Sequence, residues 1–229
     1  MEQLSNGFTL EIPSGAFPLS TDSVLLADFV KLPKNARVLD LGSGCGTLGI
    51  YLCARDPGCH VTGIELSEQA HMAALHNIEA NALMPRMKSI CADIRAVPQQ
   101  QENGVFDVCI SNPPYFSGGP ASKTLADARR NDQCSTKELM AAASHCLRYG
   151  GDLFVVQKPE QLAQLCACAS AVNLEPKRLR LIRHRPGSDV SLILLQCRKG
   201  GKPGLKWEEM NLFESDGGPT AYYRKLYHL

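Results

Sequence analysis

An excess of either positive or negative charge is missing from this chain. Its 229 residues carry 24 Lys and Arg against 23 Asp and Glu, a formal net charge of +1. That balance speaks against a protein that holds a polyanion by bulk basicity. Long hydrophobic runs are missing too. The apolar stretch Val24–Leu32 is broken by Asp28 and Lys31, and no run approaches the ~18 apolar residues of a membrane helix. Met1-Glu2-Gln3 lacks the basic start of a secretory leader. Ten cysteines are present, yet no Cys-x-x-Cys pair occurs. The closest two, Cys166 and Cys168, would point about 200° apart on a helix and cannot easily share a metal. Cys109, in Asp107-Val-Cys-Ile-Ser111, reads as a small core residue. The six histidines form no ligand pattern either. With no repeat or low-complexity tract, the expectation is a cytoplasmic protein with reduced thiols, no metal and no membrane partner.

What remains is ordinary globular material, 44% hydrophobic and 21% charged, enough for one domain with a sizeable core. Short β-branched or apolar segments alternate with longer helical ones, the pattern of an α/β domain. A helix capped by Ser20 or Thr21 is expected first. Strands follow at 37–41, 60–65, 87–91, 105–111 and 152–157, with a helix running to about Arg55 after the first and others starting near residues 67, 137 and 160. Two closing strands, near 178–183 and 191–197, have only the turn 184–189 between them and so form an antiparallel hairpin. The reading is a Rossmann-like, seven-stranded, mostly parallel sheet with helices on both faces and a C-terminal antiparallel hairpin. Residues 1–36 form an N-terminal extension, 37–198 the core, and 199–229 a Gly/Pro-punctuated tail that covers it.

Asp40-Leu-Gly42-Ser-Gly44-Cys-Gly46-Thr-Leu-Gly49 joins the first core strand to the next helix. Glycines allow a tight turn and let a ligand approach the backbone. The spacing Gly44-x-Gly46-x-x-Gly49 matches the dinucleotide fingerprint, but Asp40, two residues before Gly42, would repel a pyrophosphate. It would attract a cation, and S-adenosylmethionine carries an ammonium and a sulfonium but no phosphate. Glu65 ends the second core strand, where a carboxylate grips ribose hydroxyls. Asp93, after the third, could accept from the adenine amino group. Acidic strand ends around a plain turn are the simpler alternative. Three carboxylates on successive strand ends favour the cofactor, because ligands bind at that edge of such sheets.

Asn112-Pro113-Pro114-Tyr115-Phe116 follows the fourth core strand directly. Two prolines stiffen any loop, but this one stands at the same sheet edge as the glycine turn. An exocyclic or amide NH2 is a poor nucleophile, since its lone pair is delocalised. If the Asn112 side-chain oxygen and the Pro113 carbonyl accept its two N–H bonds, that lone pair is localised toward the methyl group. Tyr115 and Phe116 would stack on the planar target, as in pockets for an unstacked base. Catalysis is then mostly positioning.

The glycine turn together with Asn112-Pro113-Pro114-Tyr115 resembles the class I S-adenosylmethionine-dependent N-methyltransferases. Thr21-Asp-Ser-Val-Leu-Leu-Ala-Asp28 and Ala128-Arg129-Arg130 are similar to segments of the bacterial tRNA-valine adenine-N6 methyltransferases. The resemblance spans most of residues 6–198. It implies methylation of the tRNA adenine just 3′ of the anticodon, with Asn112, Pro113 and Tyr115 on the target amine. It assigns Asp40, Gly42, Gly44, Gly46, Glu65, Asp93 and Asn112 to the cofactor site, with Pro114 and Phe116 on the substrate.

Two segments offer places for RNA. The loop Ser117–Thr136 carries Arg129 and Arg130 beside the expected pocket; a solvated loop and a phosphate contact are equal readings. Between Lys177 and Lys206 nine cations, Arg183 and Arg185 among them, meet only Asp189, so a +8 segment sits on a remainder of −7. Such a patch is either protection of an edge hairpin or a footprint for a phosphate backbone. Tyr222, Tyr223 and Tyr227 are a stacking platform or packing residues. Three alternatives stand beside the RNA enzyme. One is a glutamine-N5 methyltransferase of release factors, against which stand the ~36 residues before the first core strand, too few for a separate helical domain. The others are a non-catalytic binding module and a nicotinamide enzyme.

Overall fold

The computed structural model describes residues 2–3, 7–12, 20–113 and 134–227. Two short segments, Glu2–Gln3 (β1) and Thr9–Leu10 (β2), pair antiparallel. The main sheet is built from Arg37–Leu41 (β3), His60–Glu65 (β4), Met87–Cys91 (β5), Phe106–Ser111 (β6), Leu147–Gln157 (β7), Leu174–Arg183 (β8), Val190–Lys199 (β9) and Lys206–Asn211 (β10). Its order is β10-β8-β9-β7-β6-β3-β4-β5, with β9 antiparallel to both neighbours and every other pairing parallel.

The main sheet therefore has eight strands, not seven. The additional one, β10, lies in the tail expected to be a mere cover. Its sequence Lys206-Trp-Glu-Glu-Met-Asn211 is too polar to read as a core strand. It forms because it is an edge strand beside the arginines of β8. The expected hairpin is present as β8 and β9, with Arg183 opposite Val190. β7 begins at Leu147, before Gly150 and Gly151, so glycine did not start the strand where expected.

The helices are Thr21–Phe29 (α1), Thr47–Arg55 (α2), Glu68–Ala80 (α3), Val97–Gln100 (α4), Thr136–Cys146 (α5), Leu162–Ala171 (α6) and Ala221–Tyr227 (α7). Strand residues alternate between the two faces, as the pleat requires. Val38, Val108, Ile110, Phe154 and Val156 join the core under α1, α2 and α3. Leu39, Leu41, Cys109, Leu153 and Val155 join the core under α4, α5 and α6. Burying a Leu or Phe of this kind is worth roughly 1.5–3 kcal/mol, which makes the sheet rigid enough to hold a site. Six cysteines are buried and all ten are free thiols; burial pushes the Cys146 thiol up to about 11.

From β3 the chain moves outward through β4 and β5, then returns to β6 on the other side of β3. That reversal is the topological switch point, where an open α/β sheet leaves a crevice at the strand ends. Ser111 Oγ donates to the Leu41 carbonyl at 2.7 Å and ties the ends of β3 and β6 together there.

Candidate active site

The glycine turn is shaped by the end of β4. The Gly42 and Ser43 amides both donate to the Ile64 carbonyl, at 2.9 and 3.0 Å. Gly42, Gly44 and Gly46 have φ of +75°, +55° and +87°, the left-handed region in which a side chain is strained. Among the described residues nothing lies within 4 Å of the place a Cβ would take at Gly44. The turn is also held from behind: the buried Asn77 donates from Nδ2 to the Cys45 carbonyl at 3.0 Å. The same group donates to the Glu11 carbonyl at 2.9 Å, so the N-terminal segment is fixed against the turn. Asn77 was missed in the sequence, where its only signal is an amide on the inward face of α3.

Gly63 shows how tightly turn and strand fit. A Cβ there would stand 2.7 Å from Ser43 Oγ and 2.9 Å from its Cβ. Gly63→Ala should therefore push the turn away from β4, destabilising the protein by about 1–3 kcal/mol and weakening cofactor binding with it. Thermal unfolding and a binding titration on one preparation check both. A drop in Tm with unchanged affinity would show that the turn is not held by this contact.

Glu65 is pinned by the same turn. Its Oε2 accepts from the Gly44 amide and its Oε1 from the Ser67 amide, each at 2.8 Å. Every carboxylate oxygen keeps a second lone pair, so Glu65 is pre-oriented and still able to accept. Asp93 is engaged more fully. Its carboxylate caps the turn at Ile94–Ala96 through the Arg95 amide and accepts from the Arg95 guanidinium, both at 2.8 Å. The Arg95 hydrogen bonds hold its carboxyl below the usual range.

Asp40 is different. It is fully buried, and neither oxygen has a hydrogen-bond partner among the described residues; nor does the neighbouring Ser43 Oγ. Burial first, and the Glu65 charge second, push its pKa up to about 8. A carboxylate without partners is costly in a protein interior. It lies beneath the glycine turn rather than on the surface, and its raised pKa keeps it largely protonated at neutral pH until a nearby cation favours the carboxylate.

Across the switch point, Asn112 follows β6 immediately and is half-buried. Its Nδ2 donates to Ser23 Oγ in α1 at 3.1 Å. Asp40, Gly42, Gly44, Gly46, Glu65, Asp93, Asn112 and Pro113 thus gather at one edge of the sheet. Pro114, Tyr115, Phe116, Arg129 and Arg130 lie outside the described residues. Arg183 and Arg185 reach the same edge, since β8 runs in the direction of the core strands.

The basic hairpin is less cationic than its sequence. Arg178 and Arg180 bond Glu208, Arg180 also bonds Asp28, Arg183 bonds Glu209, and Arg198 bonds Asp152. Four of its nine cations are therefore paired, three of them with the glutamates of β10. Arg183 also donates to the Ser188 carbonyl, while Arg185 is exposed. The tyrosines of α7 pack rather than stand free. His184, Phe213, Tyr223 and Tyr227 follow one another at centroid distances of 4.8, 4.8 and 4.6 Å.

Comparison with known proteins identifies the family of the chain. The family model for the methyltransferase small domain matches residues 19–166. The tRNA1(Val) (adenine(37)-N6)-methyltransferase of Shewanella sp. (strain MR-4) is 34% identical over 212 residues, covering 91% of this chain and 89% of that protein. The protein of the same name from Shewanella halifaxensis (strain HAW-EB4) is 35% identical over 159 residues, 69% of this chain and 64% of its own length. A solved structure described as a predicted O-methyltransferase from Agrobacterium tumefaciens superposes with a TM-score of 0.76 at 23% identity, covering 91% of this chain and 96% of that one. That likeness concerns the fold. The family match over residues 19–166 and the fold define a methyltransferase of the small-domain class. Within that class, the chain belongs to the tRNA1(Val) adenine-N6 methyltransferase family.

Proposed function

We propose that this protein transfers a methyl group from S-adenosylmethionine to the exocyclic N6 amine of an adenine in tRNA, next to the anticodon. The observation that carries the reading is the meeting of two features across the switch point. One is the buried, unpartnered Asp40 beneath a left-handed glycine turn, and the other is the Asn112-Pro113 pair at the end of β6. The first suits a cation and not a phosphate. The second offers two acceptors to an NH2 group.

The residues fit the cofactor. Asp40 would balance its positive charge, the Gly42–Gly46 backbone would let it approach, and Glu65 would take the ribose hydroxyls in the orientation that Gly44 and Ser67 impose. Asp93 would accept from its adenine amino group while keeping Arg95. When bound, S-adenosylmethionine supplies an electrophilic methyl on a sulfonium. Asn112 Oδ1 and the Pro113 carbonyl accept the two N–H bonds of the target amine and turn its lone pair out of conjugation. Tyr115 stacks on the base, with Pro114 and Phe116 beside it. No strong base is required, because the amine proton becomes acidic once nitrogen carries the additional substituent and leaves to water. Arg129, Arg130, Arg183 and Arg185 are assigned to tRNA phosphates; for Arg183 this means sharing its guanidinium with Glu209. Among the described residues no helix is long and apolar enough to cross a membrane, and a cytoplasmic location follows from the tRNA substrate.

Methyl-labelled S-adenosylmethionine with bulk tRNA and, separately, a release factor tests the reading. The expected product after nuclease digestion is N6-methyladenosine. Label only in glutamine would replace the substrate, and transfer to neither would leave a binding module.

A further inference from the structure

We propose that Ser23 is a positioning residue for the target amine, a role that rests on the methyl-transfer reading of Asn112. A side-chain amide has one accepting and one donating end of nearly the same shape, and only the accepting end can receive an N–H bond. Its orientation must therefore be imposed by a neighbour. Among the described residues the Asn112 side chain bonds Ser23 Oγ, 3.1 Å from Nδ2.

A hydroxyl can donate as well as accept, so Ser23 alone would tolerate either orientation. Ser20 breaks the tie. Its Oγ caps α1 by accepting from the Ser23 amide at 3.3 Å and stands 3.4 Å from Ser23 Oγ. A cap oxygen already turned toward the helix N-terminus is the natural acceptor for the Ser23 proton. With that proton directed to Ser20, the Ser23 lone pairs face Asn112, Nδ2 donates to them, and Oδ1 is left for the substrate. Ser23 is buried at 8% exposure, so water does not compete freely for either bond.

The helix that carries Ser23 cannot drift. Tyr227 donates to Thr21 Oγ1 at 3.2 Å beside the first turn. Near the other end, Arg180 and Tyr222 both donate to Asp28 Oδ2, at 2.9 and 3.2 Å. Arg55 donates to the Ala27 and Val30 carbonyls. The tail helix α7, read from sequence as a cover, is thus one of the supports of the acceptor geometry. Orientation of a reacting group within a fraction of an ångström is worth large factors in rate, whereas Ser23 itself need touch neither cofactor nor base.

The test compares Ser23→Ala and Ser23→Thr with the parent protein. Ser23→Ala should lower kcat about tenfold, the effect of losing one orienting hydrogen bond, with KM for tRNA and cofactor affinity within about twofold. Ser23→Thr keeps the hydroxyl and should recover kcat to within about threefold of the parent. An unchanged kcat in Ser23→Ala, or a loss that threonine does not recover, overturns the proposal. A second readout does not depend on turnover. In the parent, the Asn112 side-chain NH2 should give two distinct, slowly exchanging NMR resonances, and in Ser23→Ala their exchange with water should accelerate. If the parent methylates no RNA, the function proposed above falls. The amide measurement then still decides whether Ser23 orients Asn112, and equal exchange in both proteins would refute it.

Discussion

Replacing Asn112 by Ala should reduce kcat by about 10²–10³ while leaving cofactor affinity within a few-fold. The figure corresponds to loss of one pre-organised hydrogen-bonding group at a reacting centre. Asn112 stands at the end of β6, across the switch point from Asp40, and its Nδ2 points to α1. Truncation would remove one of the two proposed acceptors for the target amine and leave the glycine turn, which is held by Ile64, Glu65 and Asn77, untouched. Asn112→Asp, which retains an acceptor oxygen but cannot donate to Ser23, should fall between the parent and Asn112→Ala. Single-turnover methylation and an independent cofactor titration on each variant check this. If affinity for S-adenosylmethionine collapsed together with kcat, the division of the site into a cofactor half and an amine half would be wrong.

The second large effect concerns Asp40 and changes sign between stability and binding. In the folded protein its carboxyl has a pKa of about 8 against an ordinary 3.8, so the folded state holds the proton more tightly than the unfolded chain. Its contribution to stability is therefore fully present below pH 3.8 and is lost as pH rises toward 8. Asn cannot ionise and escapes that loss. Without cofactor, Asp40→Asn should be more stable than the parent at pH 7.5 by on the order of 2 kcal/mol, and its stability should vary less between pH 5 and 8.

Cofactor binding should move the other way. A cation near Asp40 favours the carboxylate, so binding to the parent at pH 7 should release close to one proton. Asp40→Asn should release none and bind at least ~10-fold more weakly. Calorimetry in two buffers of different ionisation enthalpy measures the proton, and thermal melts across pH measure the stability. Equal proton release by both proteins would refute the assignment of the charge to Asp40.

Much of this site was legible because its parts are local. A carboxylate before a glycine-rich turn, an acid at the end of the next strand and Asn-Pro after a β-branched run are each contained in a few residues. Parallel strands then place every such terminus at one edge. The relations between those parts were not legible. Ser23 and Asn112 are 89 residues apart, Tyr227 and Thr21 are 206 apart, and neither pair leaves a pattern along the chain. β10 escaped detection for a related reason. An edge strand is defined by what it pairs with, and the glutamates of Lys206–Asn211 make sense only beside Arg178, Arg180 and Arg183. Those same pairs set the two β10 glutamates against three of the nine cations of the segment, so the +8 is only partly offset within the sheet.

By itself the sequence determined the α/β alternation, the glycine turn at the end of β3, and the Asn-Pro pair at the end of β6. These follow from hydrophobic periodicity and from backbone conformations that only certain residues permit. The tertiary structure alone decided which way the Asn112 amide faces, that Asp40 lies without a partner, and that the tail braces α1. Those properties depend on which distant groups share one small volume, and burial makes their hydrogen bonds and charges count.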